Sequence, residues 1–320
     1  MKFYTKLLVA SFGSLLFAAF ISLSSIKANA TEEPIVTSNE EPIAPSNCPA
    51  SPLPVTIVQP DNSIITVIGR GNLLNSWTET TDGYTVKLNT AGVYEYARKQ
   101  NGNLVATGVK ANDPANRNAQ EINFVSSLQQ SLKPAITPLK ASILSQVNSQ
   151  IQNKTYPTTG SVRVLALLID YSDLTNTFNK SDFDSLLYGS NFRNGDGSFK
   201  YYYETASDSQ LTVSVDVFGW YRAANSYVHY GRDSGYDKAA DLVREAVDAA
   251  EVAGVNFANY DNDNDNRVDG ILAVHSGPGA EQGSRTQYIW SHRWVLSGGN
   301  LGSVVYDGVT INDYMINPET

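Results

Sequence analysis

The fold of the second half of the chain is decided by residues 162–169, which read V-R-V-L-A-L-L-I. Only Arg163 interrupts an otherwise apolar run. A strand that is buried on both faces of a sheet shows such a continuous run, whereas a half-buried strand alternates between apolar and polar residues. The stretch therefore predicts a central strand in a sheet that is covered on both sides.

The elements that follow this strand alternate between strand-like and helix-like patterns. Residues 211–217 alternate as L-T-V-S-V-D-V, which predicts a half-buried strand, and residues 270–275 form another apolar strand. Residues 199–205 predict a short aromatic helix or turn, and residues 238–251 place their apolar side chains on one helical face. Strands interleaved with helices predict a mixed layer fold of the α+β class. This second domain is expected to cover residues 161–320.

A smaller β-rich unit is predicted upstream. Residues 55–109 contain short β-branched runs separated by turn signals, among them Pro60-Asp61-Asn62 and Asn101-Gly102. Two segments with helical spacing follow, at residues 121–133 and 139–151. We assign residues 55–153 to this unit and residues 154–160 to a polar linker.

The first thirty residues are typical of a secretory signal peptide. Lys2 and Lys6 precede an apolar run at residues 7–23, and Ala28-Asn29-Ala30 supplies small residues for cleavage after Ala30. The alternative is an uncleaved membrane anchor, but the run is near the lower length limit for a span. Residues 31–54 are rich in Pro, Glu and Ser and predict a linker. We therefore expect a secreted, extracellular protein without membrane association after cleavage.

Composition argues against a nucleic-acid partner and limits the role of cysteine. The 320 residues carry a formal net charge of −9, and the sequence pI of about 4.8 argues against a nucleic-acid partner. Cys48 is the single cysteine, so no intrachain disulfide can form. It lies in the predicted linker, where a catalytic role is not expected; the alternative role is a removable thiolate ligand to a metal in a proenzyme.

The strongest local motif is an acidic loop, residues 261–269, which reads D-N-D-N-D-N-R-V-D. Calcium prefers six to eight oxygen ligands in a flexible shell, and magnesium suits such a loop less well because it dehydrates reluctantly. Without a cation, two carboxylates 4 Å apart repel by about 4 kcal/mol at an effective dielectric of 20. We predict a structural calcium site whose ligands are Asp261, Asp263, Asp265 and Asp269. The alternative is a solvated acidic turn, and Leu272 at position 12 excludes an EF-hand.

The three histidines, His229, His275 and His292, do not have the spacing of a catalytic zinc site. Such a site commonly uses two histidines four residues apart on a helix, with a glutamate between them. We expect each histidine to be packed or hydrogen bonded, and we predict no catalytic residue in this chain.

Several short segments, taken in order, carry a family resemblance. They are Gln59-Pro60-Asp61 with Thr80-Thr81-Asp82-Gly83-Tyr84, Leu168-Ile169-Asp170-Tyr171-Ser172-Asp173, Tyr201-Tyr202-Tyr203-Glu204, Phe218-Gly219-Trp220-Tyr221, residues 260–281, Ile289-Trp290-Ser291-His292-Arg293-Trp294, and Asn312-Asp313-Tyr314 with Asn317-Pro318-Glu319. From about Pro54 onward the chain resembles the immune inhibitor A-like family of secreted metalloproteases, peptidase family M6.

The resemblance implies a function and a domain plan. Residues 55–153 would be the propeptide of a zymogen, and residues 161–320 the upper half of a zincin, metzincin-like mixed-sheet protease domain. The complete family enzyme uses zinc bound by a His-Glu-x-x-His motif, which is absent from these 320 residues. Protein or peptide substrates are implied only once the remainder of the domain completes the site. An exposed apolar sheet face is also expected where the zinc-binding helix would pack.

A second hypothesis belongs to a different class. A degenerate or truncated relative of the protease would be a non-catalytic, calcium-stabilised extracellular binding module. Because the zinc motif is absent, this binding module is the favoured description of the activity of the 320 residues by themselves. The resemblance favours the protease for ancestry.

Overall fold

A six-stranded antiparallel sheet forms the first part of the computed structural model, which describes residues 48–136, 159–190, 192 and 197–320. Each strand pairs with the next one in the chain. The strands are β1 (Pro54–Val58), β2 (Ile64–Gly71), β3 (Ser76–Thr80), β4 (Thr85–Leu88), β5 (Tyr94–Gln100) and β6 (Asn103–Lys110). Asn101 and Gly102 both have positive φ, as a tight hairpin turn requires. The predicted β-rich unit is confirmed.

The helix that covers this sheet is shorter than the spacing predicts. Helix α1 (Ala119–Ser126) begins after Asn118, whose side chain accepts the backbone N–H of Glu121 at 2.9 Å. It ends seven residues before the predicted end at residue 133, because the Ser127 hydroxyl bonds the carbonyl of Phe124 at 2.6 Å and competes with the helical pattern. Leu132 stays buried nonetheless. The second predicted helix, at residues 139–151, lies outside the described residues, as do the predicted signal peptide at 1–30 and most of the two linkers.

An ionic network centred on the buried Arg117 connects the start of helix α1 to the turn between β3 and β4. Arg117, whose side chain is 5% exposed, donates to both carboxylate oxygens of Asp82 and lies over the rings of Tyr84 and Tyr96 at 5.4 and 5.6 Å. Burial raises the pKa of Asp82, but the hydrogen bonds from Arg117 outweigh it and leave that pKa below its usual value. Glu121 is equally buried and accepts the Tyr96 hydroxyl at 2.7 Å. The charges are thus paired, as burial demands.

A five-stranded mixed sheet forms the second part. Its order is β10-β13-β9-β7-β8, and only the edge strand β10 runs antiparallel to its neighbour. The second part contains β7 (Gly160–Asp170), α2 (Lys180–Tyr188), α3 (Phe199–Ala206), β8 (Leu211–Arg222), α4 (Tyr227–Tyr230), α5 (Tyr236–Val252), β9 (Ile271–His275), β10 (His292–Val295), β11 (Val304–Tyr306), β12 (Val309–Ile311) and β13 (Asp313–Pro318). The predicted strands β7, β8 and β9 and helices α3 and α5 are confirmed, as is the α+β class. None of the described helices has the length and hydropathy needed to span a bilayer.

Helices cover both faces of the central strand β7. Alternate residues of β7 enter two cores: Leu165 and Leu167 pack with α5, and Ala166 and Leu168 pack with α2 and α3. This arrangement explains why the strand is apolar at almost every position. On β13 the expected exposed apolar face is represented by Met315, which is 47% exposed, whereas Tyr314 and Ile316 on the opposite face are buried in the core that contains α5. That core also takes in residues from segments 223–230 and 289–296, which cover the same face.

Candidate metal centre

The acidic loop leads from a short 3-10 turn (Phe257–Tyr260) to strand β9. Its shape depends on carboxylates that accept backbone N–H groups within the loop. Asp261 accepts the N–H groups of Asp265 and Asn266, both at 3.0 Å. Asn264 and Asn266 adopt positive φ, a conformation that asparagine tolerates better than most residues. The loop therefore turns tightly enough to bring alternate side chains together.

Three of the four predicted calcium ligands converge. Asp261, Asp263 and Asp265 each offer one carboxylate oxygen, and these oxygens lie within 4.8 Å of one another. Three hard anionic oxygens in this arrangement fit the donor set that calcium prefers. Among the described residues, this is the group of acidic, histidine or cysteine side chains whose geometry could hold a metal ion.

The structure gives the fourth predicted ligand, Asp269, other partners. Its Oδ2 accepts the backbone N–H and the side-chain amide of Asn262, at 2.8 and 2.7 Å. Asp269 thus closes the base of the loop on Asn262, outside the group of three. Sequence spacing alone predicts the aspartates at positions 1, 3, 5 and 9 of the loop equally well as ligands. It gives no sign that Asp269 bonds to Asn262 instead.

The loop is fixed to the five-stranded sheet through Asn262 and Tyr260, which sequence reasoning did not single out. The Asn262 side chain accepts the N–H of Arg163 at 2.7 Å and donates to the Arg163 carbonyl at 3.1 Å, in the manner of a paired strand. The Tyr260 hydroxyl donates to Asp216 on β8 at 3.0 Å. Burial, and then this bond to a carboxylate, raise the pKa of Tyr260. The acidic loop is thus attached to β7 and β8 through side-chain hydrogen bonds.

The loop also contacts the β11–β12 hairpin. Val268 donates its N–H to the carbonyl of Thr310 at 2.9 Å, and Thr310 donates to the carbonyl of Asn266 at 2.8 Å. Because β12 leads directly into β13, these main-chain bonds connect the acidic loop to the β13 side of the sheet, whereas side-chain bonds connect it to β7 and β8.

Two of the three histidines are fully buried and hydrogen bonded, as predicted. His275 Nδ1 lies 2.9 Å from the Ser276 carbonyl, and His292 Nδ1 lies 2.6 Å from the Trp290 carbonyl. His292 Nε2 lies 3.0 Å from the Tyr314 hydroxyl. Burial lowers the pKa of each imidazole to about 4. In the described part of the chain these side chains do not assemble with carboxylates or cysteine into a zinc site.

The carboxyl ends of the parallel strands are joined by Glu319, a residue to which sequence reasoning gave no role. Its carboxylate accepts the N–H groups of Thr177, Phe178 and Gly277, at 2.9, 3.2 and 2.8 Å. Ligands of open α/β sheets bind at this edge. Here the edge is organised by an internal carboxylate, which ties the loop after β7 to the turn after β9.

Comparison with known proteins places the chain in a class, that of proteins related to metalloproteases. Residues 152–320, more than half of the chain, match the family described as Immune inhibitor A peptidase M6, catalytic domain. The chain therefore belongs to the immune inhibitor A peptidase family, and the resemblance seen in the sequence is confirmed.

Two curated relatives give the extent of the similarity. Immune inhibitor A of Bacillus thuringiensis subsp. alesti is 31% identical over 240 residues, which covers 58% of this chain and 35% of the relative. The pre-pro-metalloprotease PrtV of Vibrio cholerae serotype O1 (strain M66-2) is 33% identical over 175 residues, which covers 42% of this chain and 19% of the relative. The chain thus spans about a third of the length of the first relative and about a fifth of the second.

Proposed function

We propose that the chain is the N-terminal part of a secreted, zinc-dependent metalloendopeptidase made as a zymogen. The observation that carries this proposal is the match of residues 152–320 to the family's catalytic domain. Residues 1–30 would be the signal peptide and 31–54 a linker. Residues 55–153 would be the propeptide, 154–160 a second linker, and 161–320 the upper half of a zincin-like domain. The mixed sheet with one antiparallel edge strand supports the last assignment.

Zinc would be held by residues outside the described set. His275 and His292 do not fit the role, because both are buried and the described carboxylates and cysteine do not gather around them. His292 also uses its second ring nitrogen on the Tyr314 hydroxyl, at 3.0 Å. The described residues would supply the sheet on which the metal-binding part of the enzyme is built. The substrates of the complete enzyme would be proteins or peptides.

Residues 31–320 with added zinc are therefore expected to show neither casein hydrolysis nor stoichiometric zinc binding. A catalytic zinc needs three protein ligands and an open position for water. Metal analysis after dialysis and a casein assay test this expectation. A form extended through a His-Glu-x-x-His helix should gain both properties once residues 31–153 are removed. One-to-one zinc binding by residues 31–320 that is abolished by His275→Ala and His292→Ala would contradict the assignment.

We further propose that Asp261, Asp263 and Asp265 hold a structural calcium ion, with Asp269 shaping the base of the loop or joining the ligands when the ion binds. The convergence of three carboxylate oxygens within 4.8 Å supports the site.

A non-catalytic, calcium-stabilised extracellular binding module is the second candidate function. The observation that favours it is that the described metal-binding geometry is confined to these aspartates.

Calcium is expected to raise the melting temperature of the second domain. At a free concentration a hundredfold above the dissociation constant, the stabilisation would be about 2.7 kcal/mol. Asp263→Ala or Asp265→Ala should remove most of that gain, which is measured as the difference between melting in calcium and melting in chelator. Asp173→Ala is the matched control, because its carboxylate accepts the N–H of Tyr227 away from the loop. Equal melting temperatures of the wild type in calcium and in chelator would contradict the calcium site and show that the loop is a solvated acidic turn.

A further inference from the structure

An apolar cluster joins the six-stranded sheet to the second domain. Leu73, from the turn between β2 and β3, packs with Ala280 and Trp290, and all three side chains are at most 1% exposed. Cys48 and Tyr236 pack against the same cluster from its two sides. Full burial of a tryptophan and a leucine removes from water an apolar area typical of a core. The two parts of the molecule thus share a hydrophobic centre.

Hydrogen bonds to main-chain atoms surround this cluster. Ser51 donates its N–H to the carbonyl of Glu281 at 3.0 Å, and the Thr78 hydroxyl donates to the carbonyl of Gly283 at 2.9 Å. The Ser284 hydroxyl donates in the opposite direction, to the carbonyl of Trp77 at 3.0 Å. The Trp290 indole N–H donates to the carbonyl of Cys48 at 3.2 Å. Each part of the molecule supplies both donors and acceptors to this contact. The acceptors are main-chain carbonyl groups, so the contact depends on the backbone of residues 280–291 and not on the ends of flexible side chains.

Gly69 on β2 allows the closest approach. A Cβ atom built at this position would lie 2.9 Å from the carbonyl oxygen of Glu281, 3.1 Å from the N atom of Gly283 and 3.0 Å from that of Ser284. All three atoms are backbone atoms of the second domain, which cannot move aside as a side-chain tip would. At Gly69 the two parts therefore meet backbone against backbone, with no room for a side chain.

We propose that residues 48–136 remain bound to residues 159–320 after the chain is cut between residues 137 and 158. The surface formed by Tyr236 and residues 280–291 is then a binding site for the protein's own six-stranded sheet, present as a separate polypeptide. Every contact described above lies within the two pieces, so the cut removes none of them. The cut ends the covalent link, and with it the high effective concentration of one piece near the other.

The contacts that carry this association are mainly neutral hydrogen bonds and apolar packing, together with a bond from the Arg232 guanidinium to the Ser76 hydroxyl. Such contacts are little affected by screening, unlike surface ion pairs. We therefore expect the cut protein to stay associated in high salt. If residues 55–153 are a propeptide, one cut in the connecting segment does not separate it from the catalytic domain. That consequence depends on the proposed function, whereas the association itself does not.

The test uses the full exported chain with a recognition site for a sequence-specific protease placed between residues 145 and 150. After complete cutting, the two pieces should elute together in size-exclusion chromatography at low micromolar concentration, in both 0.15 M and 1 M NaCl. Elution as two separate soluble pieces would overturn the proposal. The readout needs no peptidase activity, so it stands or falls independently of the proposed enzyme.

Gly69→Ala locates the interface. The added methyl group should raise the dissociation constant of the cut pieces at least tenfold, because it meets backbone atoms of the partner piece. Gly270→Ala is the matched control, since a Cβ there meets no atom within 4 Å. If Gly69→Ala does not fold, Thr78→Val removes the bond to Gly283 with little change in shape and should also weaken binding. Binding unchanged by either variant would show that the pieces associate elsewhere and would contradict the proposal.

Discussion

Replacing Arg117 with Ala is expected to lower the free energy of unfolding of the six-stranded sheet by about 3–5 kcal/mol. The guanidinium is almost fully buried, and it neutralises Asp82 and lies 4.0 Å from the buried carboxylate of Glu121. Removing a cation from such a network leaves uncompensated charge in a poorly solvated place, which costs far more than an exposed pair is worth. Loss of the contacts with the rings of Tyr84 and Tyr96 adds to the effect.

Urea unfolding followed by circular dichroism measures this change. Lys110→Ala is the matched control, because its partner Asp61 and Lys110 itself are both substantially exposed on the same sheet. An exposed ion pair adds little to stability, so Lys110→Ala should have a much smaller effect than Arg117→Ala. Equal effects of the two substitutions would show that the Arg117 network is solvated and would contradict the expectation.

Lowering the pH from 7 to about 4 is expected to destabilise the part of the protein that contains the five-stranded sheet, through His275 and His292. Burial lowers the pKa of each folded imidazole to about 4, whereas an unfolded histidine has a pKa near 6.5. The unfolded state therefore binds more protons between these values, and stability falls as the pH decreases through this window. The loss would approach about 3 kcal/mol per histidine at its low-pH end.

Carboxylates titrate in the same range, so the comparison must be made between variants. His275→Gln and His292→Gln cannot take up a proton and should flatten the change of melting temperature between pH 7 and pH 4.5. His229→Gln is the control, since that side chain is exposed. The assignment of the acid sensitivity to the buried pair would be wrong if the two glutamine variants and the control gave the same pH dependence.

Local pattern was sufficient for the elements whose environment is uniform along their length. Residues 165–169 are buried on both faces, and residues 238–251 have one buried face, so both elements were recognised from apolar spacing alone. Strands β10 and β13 were not recognised. Residues 292–295 read H-R-W-V and residues 313–318 read D-Y-M-I-N-P, and neither run has a clear period. Their strand conformation depends on pairing with each other and with β9.

The residues of the candidate site also fall into those that local spacing predicts and those that depend on the finished fold. The convergence of Asp261, Asp263 and Asp265 follows from spacing, because the loop is short and its own N–H groups fold it. The partners of Glu319 could not be predicted, since Thr177 and Gly277 are far from it in sequence and meet it only at the edge of the finished sheet. Tyr260 and Asn262 were missed for the same reason, because their partners lie on β7 and β8.

The connectivity of the two sheets also sets the order in which they fold. Every strand of the first sheet pairs with its neighbour in the chain, whereas Leu165 on β7 must find Ile271 on β9. Pairing between distant residues slows folding because a long loop must first be closed. The first sheet also leaves the ribosome earlier, and domains fold as units from the N-terminus during synthesis. We therefore expect the six-stranded sheet to be complete while residues 280–291 are still unstructured, so that it serves as a template against which this part of the later domain takes its shape.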